Sequence, residues 1–122
     1  MMPYTLALSR RVALALAGAF LLGAAPPMRL LRTEPRPNQV MSGSGVAFAL
    51  HFDHPLDHQA SRFMLMAPDG VTLTVLVRLG AQPNVLYGSV GQLRPGTYVL
   101  NWSARGNDGA ALTGTLPFEI RG

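Results

Sequence analysis

All three histidines of the chain lie within one window of eight residues, which also holds two carboxylates. These residues are His51, Asp53, His54, Asp57 and His58. Imidazole nitrogens suit both copper and zinc, so the window is a candidate transition-metal site. Pro55 argues against a helix, and residues 46–52 alternate as a strand does, so the histidines are placed where a strand enters a loop. Ordinary surface histidines are the alternative, because neighbouring residues of a strand point to opposite faces.

A second candidate feature is the pair Met64 and Met66. On a strand these side chains share one face, opposite Phe63 and Leu65. If Phe63 and Leu65 face the core, two thioethers point outward, where they suit a soft Cu(I) ion completed by an imidazole of the histidine window. The alternative is that the methionines cover the core from its other side or lie beneath a loop.

Other chemistries lack the residues that they need. The chain has no Cys, which excludes disulfides, thiolate catalysis and Cys-ligated metals. No Ser or Thr nucleophile with a spaced His and Asp, and no phosphate-binding glycine loop, can be found. We therefore do not expect an enzyme. Outside the first 25 residues the chain has eight arginines and six acidic residues. This excess of positive charge is too small and too scattered to indicate a nucleic-acid surface.

The first 25 residues have the order of a secretory signal peptide: a polar start with two arginines, an apolar run from Val12 to Leu22, and three small residues. The run is shorter than the roughly 20 residues that cross a bilayer as a helix, so we expect no stable membrane span after cleavage. We predict a signal peptide over residues 1–25 and one domain over residues 26–122. An exported small domain of this kind favours the periplasm.

From Met28 onward the apolar residues recur with a period of two, the period of a half-buried strand. The alternating sets are Val46 to Phe52, Phe63 to Leu65, Val71 to Val77, Tyr98 to Trp102 and Leu116 to Ile120. Turns rich in Pro, Gly, Asn and Asp separate them. About seven short strands in this pattern predict an all-β fold, an immunoglobulin-like Greek-key β-sandwich with Trp102 in its core and no helix longer than two turns.

A family resemblance is carried by five groups of residues spread along the mature region. In chain order they are Pro27-Met28-Arg29-Leu30 through Thr33-Glu34-Pro35, then Leu50-His51-Phe52-Asp53-His54-Pro55-Leu56, then Ser61-Arg62-Phe63, then Leu93-Arg94-Pro95-Gly96-Thr97-Tyr98 with Trp102, and Asp108-Gly109 with Gly114 and Phe118. Together they resemble the CopC copper-resistance domain. The resemblance implies a small exported sandwich, similar in topology to cupredoxins, that binds and carries copper in the periplasm.

The resemblance also implies where a Cu(II) site belongs. The family's usual site takes an N-terminal His with its free amine and an Asp-x-His pair near the last strand. In this chain the two His positions fall on Pro27 and Ala110, whereas the Asp is present as Asp108. The family's acidic residue in the Leu-His-Phe segment falls on His54. Two alternatives follow: a relocated site that uses His54 and Asp108, with His51 or His58 added, or complete loss of metal binding.

We therefore expect an exported copper-handling protein that acts by metal ligation and transfer. Copper, as Cu(I) or Cu(II), is the expected cofactor. The candidate ligands are His51, His54, His58, Met64, Met66 and Asp108. The alternative function is a metal-free interaction module for a membrane or periplasmic partner, such as a membrane copper transporter. We expect a monomer without a nucleic-acid partner.

Overall fold

The computed structural model of the protein describes residues 27–42 and 44–122, and the predicted signal peptide lies outside these residues. The strands are β1 (Leu30–Glu34), β2 (Gln39–Ser42), β3 (Val46–Phe52), β4 (Arg62–Met66), β5 (Thr72–Val75), β6 (Val85–Val90), β7 (Gly96–Arg105) and β8 (Ala111–Arg121). The described residues hold no α-helix, and so none that is long and apolar enough to span a membrane. The predicted all-β class is confirmed.

The strands form two sheets that pack face to face. One sheet has the order β1-β3-β6, and the other has the order β2-β8-β7-β4-β5. All neighbours are antiparallel except β2 and β8, which run parallel. The chain changes sheet between β3 and β4, so the loop that joins these strands crosses one open end of the sandwich. The predicted β-sandwich is therefore confirmed.

The core is built from the alternate residues of the central strands. The fully buried large side chains include Phe48, Leu50, Phe52, Phe63, Leu65, Leu100, Leu116, Phe118 and Ile120. Trp102 is also buried, as predicted, and its ring meets the ring of Phe52 edge to face at 5.4 Å between centroids. Trp102 lies over Gly114, where an added Cβ atom would stand 2.4 Å from the indole ring. Gly114 therefore leaves the space that the indole occupies.

Strand β5 departs from the expected half-buried pattern. Val75 is buried, but Val71 and Leu73, which belong to the same alternating set, are exposed. The difference follows from the unequal sheets: five strands face three, and β5 is the outermost strand of the larger sheet. Alternation therefore marks the inward face of β5 correctly, but the smaller sheet does not cover that face fully.

One end of the sandwich is fastened by hydrogen bonds between two loops. In the loop after β3, the Pro55 carbonyl accepts a hydrogen bond from the Asn107 N–H at 3.1 Å. The Asp57 N–H of the same loop donates to the Arg105 carbonyl at 2.8 Å. An isolated bridge also pairs Leu56 with Gly106. The loop that carries His54 is therefore held against the turn between β7 and β8.

Candidate metal centre

Asp53 ties the loop after β3 to the start of the described chain. The Arg29 N–H donates to Asp53 Oδ1 at 2.8 Å, and the Asp53 N–H donates to the Arg29 carbonyl at 3.2 Å. The hydrogen bond from the Arg29 N–H holds the pKa of the Asp53 carboxyl below its ordinary value, and the hydrogen bond with His54 adds a smaller effect in the same direction. The ionised Asp53 carboxylate therefore stabilises the folded state fully at neutral pH, and this stabilisation is lost only as the pH falls through the lowered pKa. Asp53 remains an ionised acceptor where the protein is expected to work.

His54 lies between two carboxylates. Its Nδ1 atom is 2.6 Å from Asp53 Oδ1, and its Nε2 atom is 3.3 Å from Asp108 Oδ2. The His54 side chain is 13% exposed, while those of Asp53 and Asp108 are 34% and 39% exposed. The imidazole is thus held at the surface in a fixed orientation, with one nitrogen toward each carboxylate.

The turn between β7 and β8 fixes Asp108. The Ala110 N–H donates to Asp108 Oδ1 at 3.1 Å, which leaves Oδ2 for His54. Gly109 adopts a φ of 87°, in the region that favours glycine, and the Gly106 N–H closes the turn on the Ala110 carbonyl at 2.8 Å. A Cβ atom on Gly106 would stand 2.6 Å from Asp108 Oδ1. Gly106 therefore provides the room in which the carboxylate lies.

The separation of His54 Nε2 and Asp108 Oδ2 suits two ligands of one ion. Ligands about 2.0 Å from a metal are about 2.8 Å apart at a right angle and about 3.3 Å apart at a tetrahedral angle. The observed 3.3 Å falls at the tetrahedral end of that range. Metal-binding histidines commonly give their other nitrogen to a carboxylate, which is the place that Asp53 takes. The donor set therefore fits a divalent transition-metal ion with two protein ligands.

No larger ligand set is assembled in the part of the chain that the structure describes. No group of three His, Cys, Asp or Glu side chains there is arranged to hold a metal ion. The described turn contributes no imidazole of its own, because residue 110, where the resemblance places a histidine, is a buried alanine. Within residues 27–42 and 44–122, His54 and Asp108 are therefore the two side chains that can share one ion at this place.

His51 lies away from this pair. It stands between the buried residues Leu50 and Phe52, so its side chain points to the outer face of the three-stranded sheet. Its Nε2 atom is 3.6 Å from Glu34 Oε1, is buried, and has no hydrogen-bond partner. His51 thus forms an ion pair across β1 and β3 when protonated, separate from His54.

His58 has a structural position in the loop after β3. Its Nδ1 atom is 3.1 Å from the Leu56 carbonyl, and its Nε2 atom is 2.8 Å from the Val85 carbonyl of β6. Neighbouring Asp57 accepts the backbone N–H groups of Gln59 and Ala60 and shapes the same loop. Both nitrogens of His58 are therefore occupied by backbone contacts and neither is free for a metal.

Met64 and Met66 lie on the outer face of β4, which pairs with β7 on one side and with the edge strand β5 on the other. Phe63 and Leu65 are fully buried between and beside them, while both methionines are exposed. The Thr74 hydroxyl donates to the Met64 sulfur at 3.6 Å. The outward orientation follows the expectation, but His51 lies on the opposite sheet, and the contacts of His54 and His58 do not reach the methionines.

The sequence placed Asp53 in the candidate window without indicating that it supports His54, and it gave no role in the site to Gly106. The role of Asp53 depends on the Arg29 N–H, which is 24 positions earlier in the chain. The role of Gly106 depends on the close approach of the Asp108 side chain, two residues later, to the place where a Cβ atom would stand. The Gly-Asn-Asp-Gly sequence signalled a turn there, but not that its first glycine makes room for a ligand.

Comparison with known proteins assigns most of the described region to one family. Residues 30–121 match the CopC domain. A search of curated proteins gave no significant match. Among solved structures, CopC from Methylosinus trichosporium OB3b has a TM-score of 0.70 at 19% identity, covering 76% of this chain and 92% of that chain. PcoC, a methionine-rich copper resistance protein from Escherichia coli, has a TM-score of 0.62 at 20% identity, covering 79% of this chain and all of that chain. These likenesses establish a common fold.

Proposed function

The chain belongs to the CopC domain family, and from this premise we propose that it binds copper between His54 Nε2 and Asp108 Oδ2 and passes the ion on. The observation that carries the proposal is the 3.3 Å separation of these two atoms. An imidazole nitrogen and a carboxylate oxygen suit Cu(II), whose tetragonal geometry requires these two atoms to close from 3.3 Å to about 2.8 Å, and Asp53 orients the imidazole through its other nitrogen. The ion is cargo, so the protein acts by ligation and not by turnover.

The small ligand set supports transfer in preference to storage. Two ligands from the described residues leave the other positions of the ion open to water, which exchanges readily. The side chains of Asp53 and Asp108 are about a third exposed, so these positions face solvent. A partner that presents imidazole or thioether ligands can enter at the open positions before His54 and Asp108 leave. The protein therefore keeps the ion in a form that a second protein can take up.

The proposed setting is the periplasm, and the proposed recipient is a copper transporter or another copper-binding protein there. The support is the export signal expected in residues 1–25 together with membership of a family whose solved relatives are named copper resistance proteins. The mass of the polypeptide purified after expression of the full chain tests the export step. A mature form that begins near residue 26 agrees with export, whereas an uncut polypeptide in the cytoplasmic fraction contradicts it.

Titration with Cu(II) tests the site directly. Trp102 is the only tryptophan of the chain and contacts Phe52, which directly precedes Asp53, so its fluorescence reports binding nearby. We expect saturable quenching that His54→Ala abolishes. His51→Ala is the matched control, because it removes an imidazole three residues away and should leave the affinity unchanged. Equal affinity in His54→Ala and the unaltered protein rejects the site, and the absence of Cu(II) binding favours the metal-free interaction module.

A second candidate site, for Cu(I), is the pair Met64 and Met66. The favouring observation is that both thioethers are exposed on one face of β4, where two such residues stand about 6–7 Å apart. Flexible thioethers at that spacing can share one soft ion. Because no histidine contact reaches them in the described residues, the pair provides two sulfur ligands with the Thr74 hydroxyl beside one of them.

The double variant Met64→Leu with Met66→Leu tests the Cu(I) site, since it conserves side-chain volume. Competition with a chromogenic Cu(I) chelator measures the affinity. We expect the double variant to lose Cu(I) binding while Cu(II) binding at His54 persists. Unchanged Cu(I) affinity would mean that the two methionines only cover the sheet and do not bind Cu(I).

A further inference from the structure

The edge strand β5 carries an interaction surface that copper binding does not use. It pairs with β4 on one side, and no described strand pairs with its other side. Three of the eight exposed large apolar side chains in the described residues lie in β5 or directly beside its ends. They are Val71, Leu73 and Leu76. No charged residue occurs from Val71 to Val77, although edge strands are commonly protected by charges.

The free backbone groups of this edge follow from the register of the hairpin. The Ala67 N–H donates to the Val71 carbonyl at 2.8 Å, so these two residues form a hydrogen-bonded pair. Such pairs alternate along an antiparallel ladder, so Leu73 and Val75 direct their backbone groups toward β4. The residues whose N–H and C=O groups point away from the sheet are Thr72 and Thr74.

A second copy of the same strand satisfies these groups when it runs antiparallel and is centred on Leu73. Thr72 of each copy then stands opposite Thr74 of the other, and both pairs exchange two backbone hydrogen bonds. Leu73 stands opposite its own copy in the closer, non-hydrogen-bonded kind of pair. The exposed Leu73 side chains of the two copies cover each other.

The same register also accommodates Leu76. Leu76 follows the end of β5, and in this register it comes near the turn that contains Gly70 of the other copy. The space beside Gly70 is open, since a Cβ atom built there meets nothing within 4 Å. Two copies of β5 are therefore complementary in their hydrogen bonds and apolar contacts, and neither carries a charge that opposes their pairing.

The other sheet edges are protected from such pairing. Strand β1 carries Arg32 and Glu34. On the outer edge of β6, the backbone N–H and C=O groups of Tyr87 already form hydrogen bonds with Arg78. Strand β2 exposes a single large apolar side chain, Val40. The features needed for self-pairing thus concentrate on β5.

We propose that two copies of the chain associate through antiparallel pairing of β5 with β5, which joins their larger sheets into one sheet of ten strands, five from each copy. The contact of two four-residue strands is smaller than the roughly 800 Å² per partner of a stable interface. The dimer is therefore weak and depends on concentration. It departs from the monomer expected from the sequence, which gave no information about which edge lies open.

Sedimentation velocity over a wide range of protein concentrations tests the proposal, with the protein purified after expression of the full chain. Leu73→Lys places two like charges opposite each other in the dimer, and Thr74→Pro removes an N–H that points away from β4. Proline is tolerated at such edge positions, so the fold is expected to survive. Leu31→Lys is the matched control, because Leu31 is a similarly exposed apolar residue on edge strand β1.

We expect the unaltered protein and Leu31→Lys to form dimers at high concentration, and each β5 variant to raise the dissociation constant about tenfold or more. Circular dichroism of every variant checks that the sandwich is kept. A protein that stays monomeric at all concentrations overturns the proposal. A dimer that persists unchanged in both folded β5 variants also overturns it, because another surface must then hold the copies together.

Discussion

Gly106 sets the position of the Asp108 carboxylate, because a Cβ atom at residue 106 would stand 2.6 Å from Asp108 Oδ1. We predict that Gly106→Ala pushes this oxygen aside, breaks its hydrogen bond from the Ala110 N–H, and lowers Cu(II) affinity about tenfold or more. Gly91→Ala is the matched control, since a Cβ atom there meets nothing within 4 Å. Isothermal titration of the two variants decides the point, and equal affinities contradict the assigned role.

At the scale of single residues, the sequence predicted His54 and Asp108 as a pair only through the family resemblance. Spacing alone treated all three histidines alike. The structure separates them because His51 lies on a strand face and His58 is held by two backbone carbonyls. Such differences depend on which neighbours fill each ring nitrogen, and those neighbours come from distant parts of the chain.

Strand β4 shows how far the alternation of apolar residues determines an element. Phe63 is fully buried and meets the ring of Phe48 at 6.2 Å between centroids, whereas Met64 next to it points outward. We predict that Phe63→Ala lowers the free energy of unfolding by about 3–5 kcal/mol, because it removes a large buried ring and leaves a cavity. Met64→Ala, the neighbouring control, should change it by about 0.5 kcal/mol or less. Urea denaturation measures both, and similar losses would contradict the orientation of the strand.

Alternation missed β1 and β2, which bury few residues, and β6, which buries residues on both faces. In β1 only Thr33 is buried, and in β2 no residue is. In β6 the adjacent residues Val85 and Leu86 are both buried, because the loop that carries His58 reaches the outer side of that strand. A period of two is visible in a sequence only where one face meets the core and the other meets water. That condition held for β3, β4, β7 and β8, held in part for β5, and failed for the other edge strands β1, β2 and β6.

For the whole molecule, the proposed copper site joins the two halves of the sandwich. His54 follows β3 of the three-stranded sheet, whereas Asp108 lies in the turn between β7 and β8 of the five-stranded sheet. Asp53 further connects this place to the first described residues through Arg29. An ion held between His54 and Asp108 therefore connects segments that separate when the protein unfolds. Copper binding and folding should be coupled for this reason.

The coupling predicts that Cu(II) raises the midpoint of thermal unfolding. A ligand that binds only the folded state at one hundred times its dissociation constant stabilises it by about 2.7 kcal/mol. In a domain of this size each kcal/mol corresponds to roughly 4–8 °C in Tm. His51→Ala should keep the shift and His54→Ala should lose it, as differential scanning calorimetry with and without Cu(II) can measure. A shift of equal size in both variants would mean that Cu(II) stabilises the fold by binding at another site. That result would contradict the proposal that the ion connects the two sheets through His54 and Asp108.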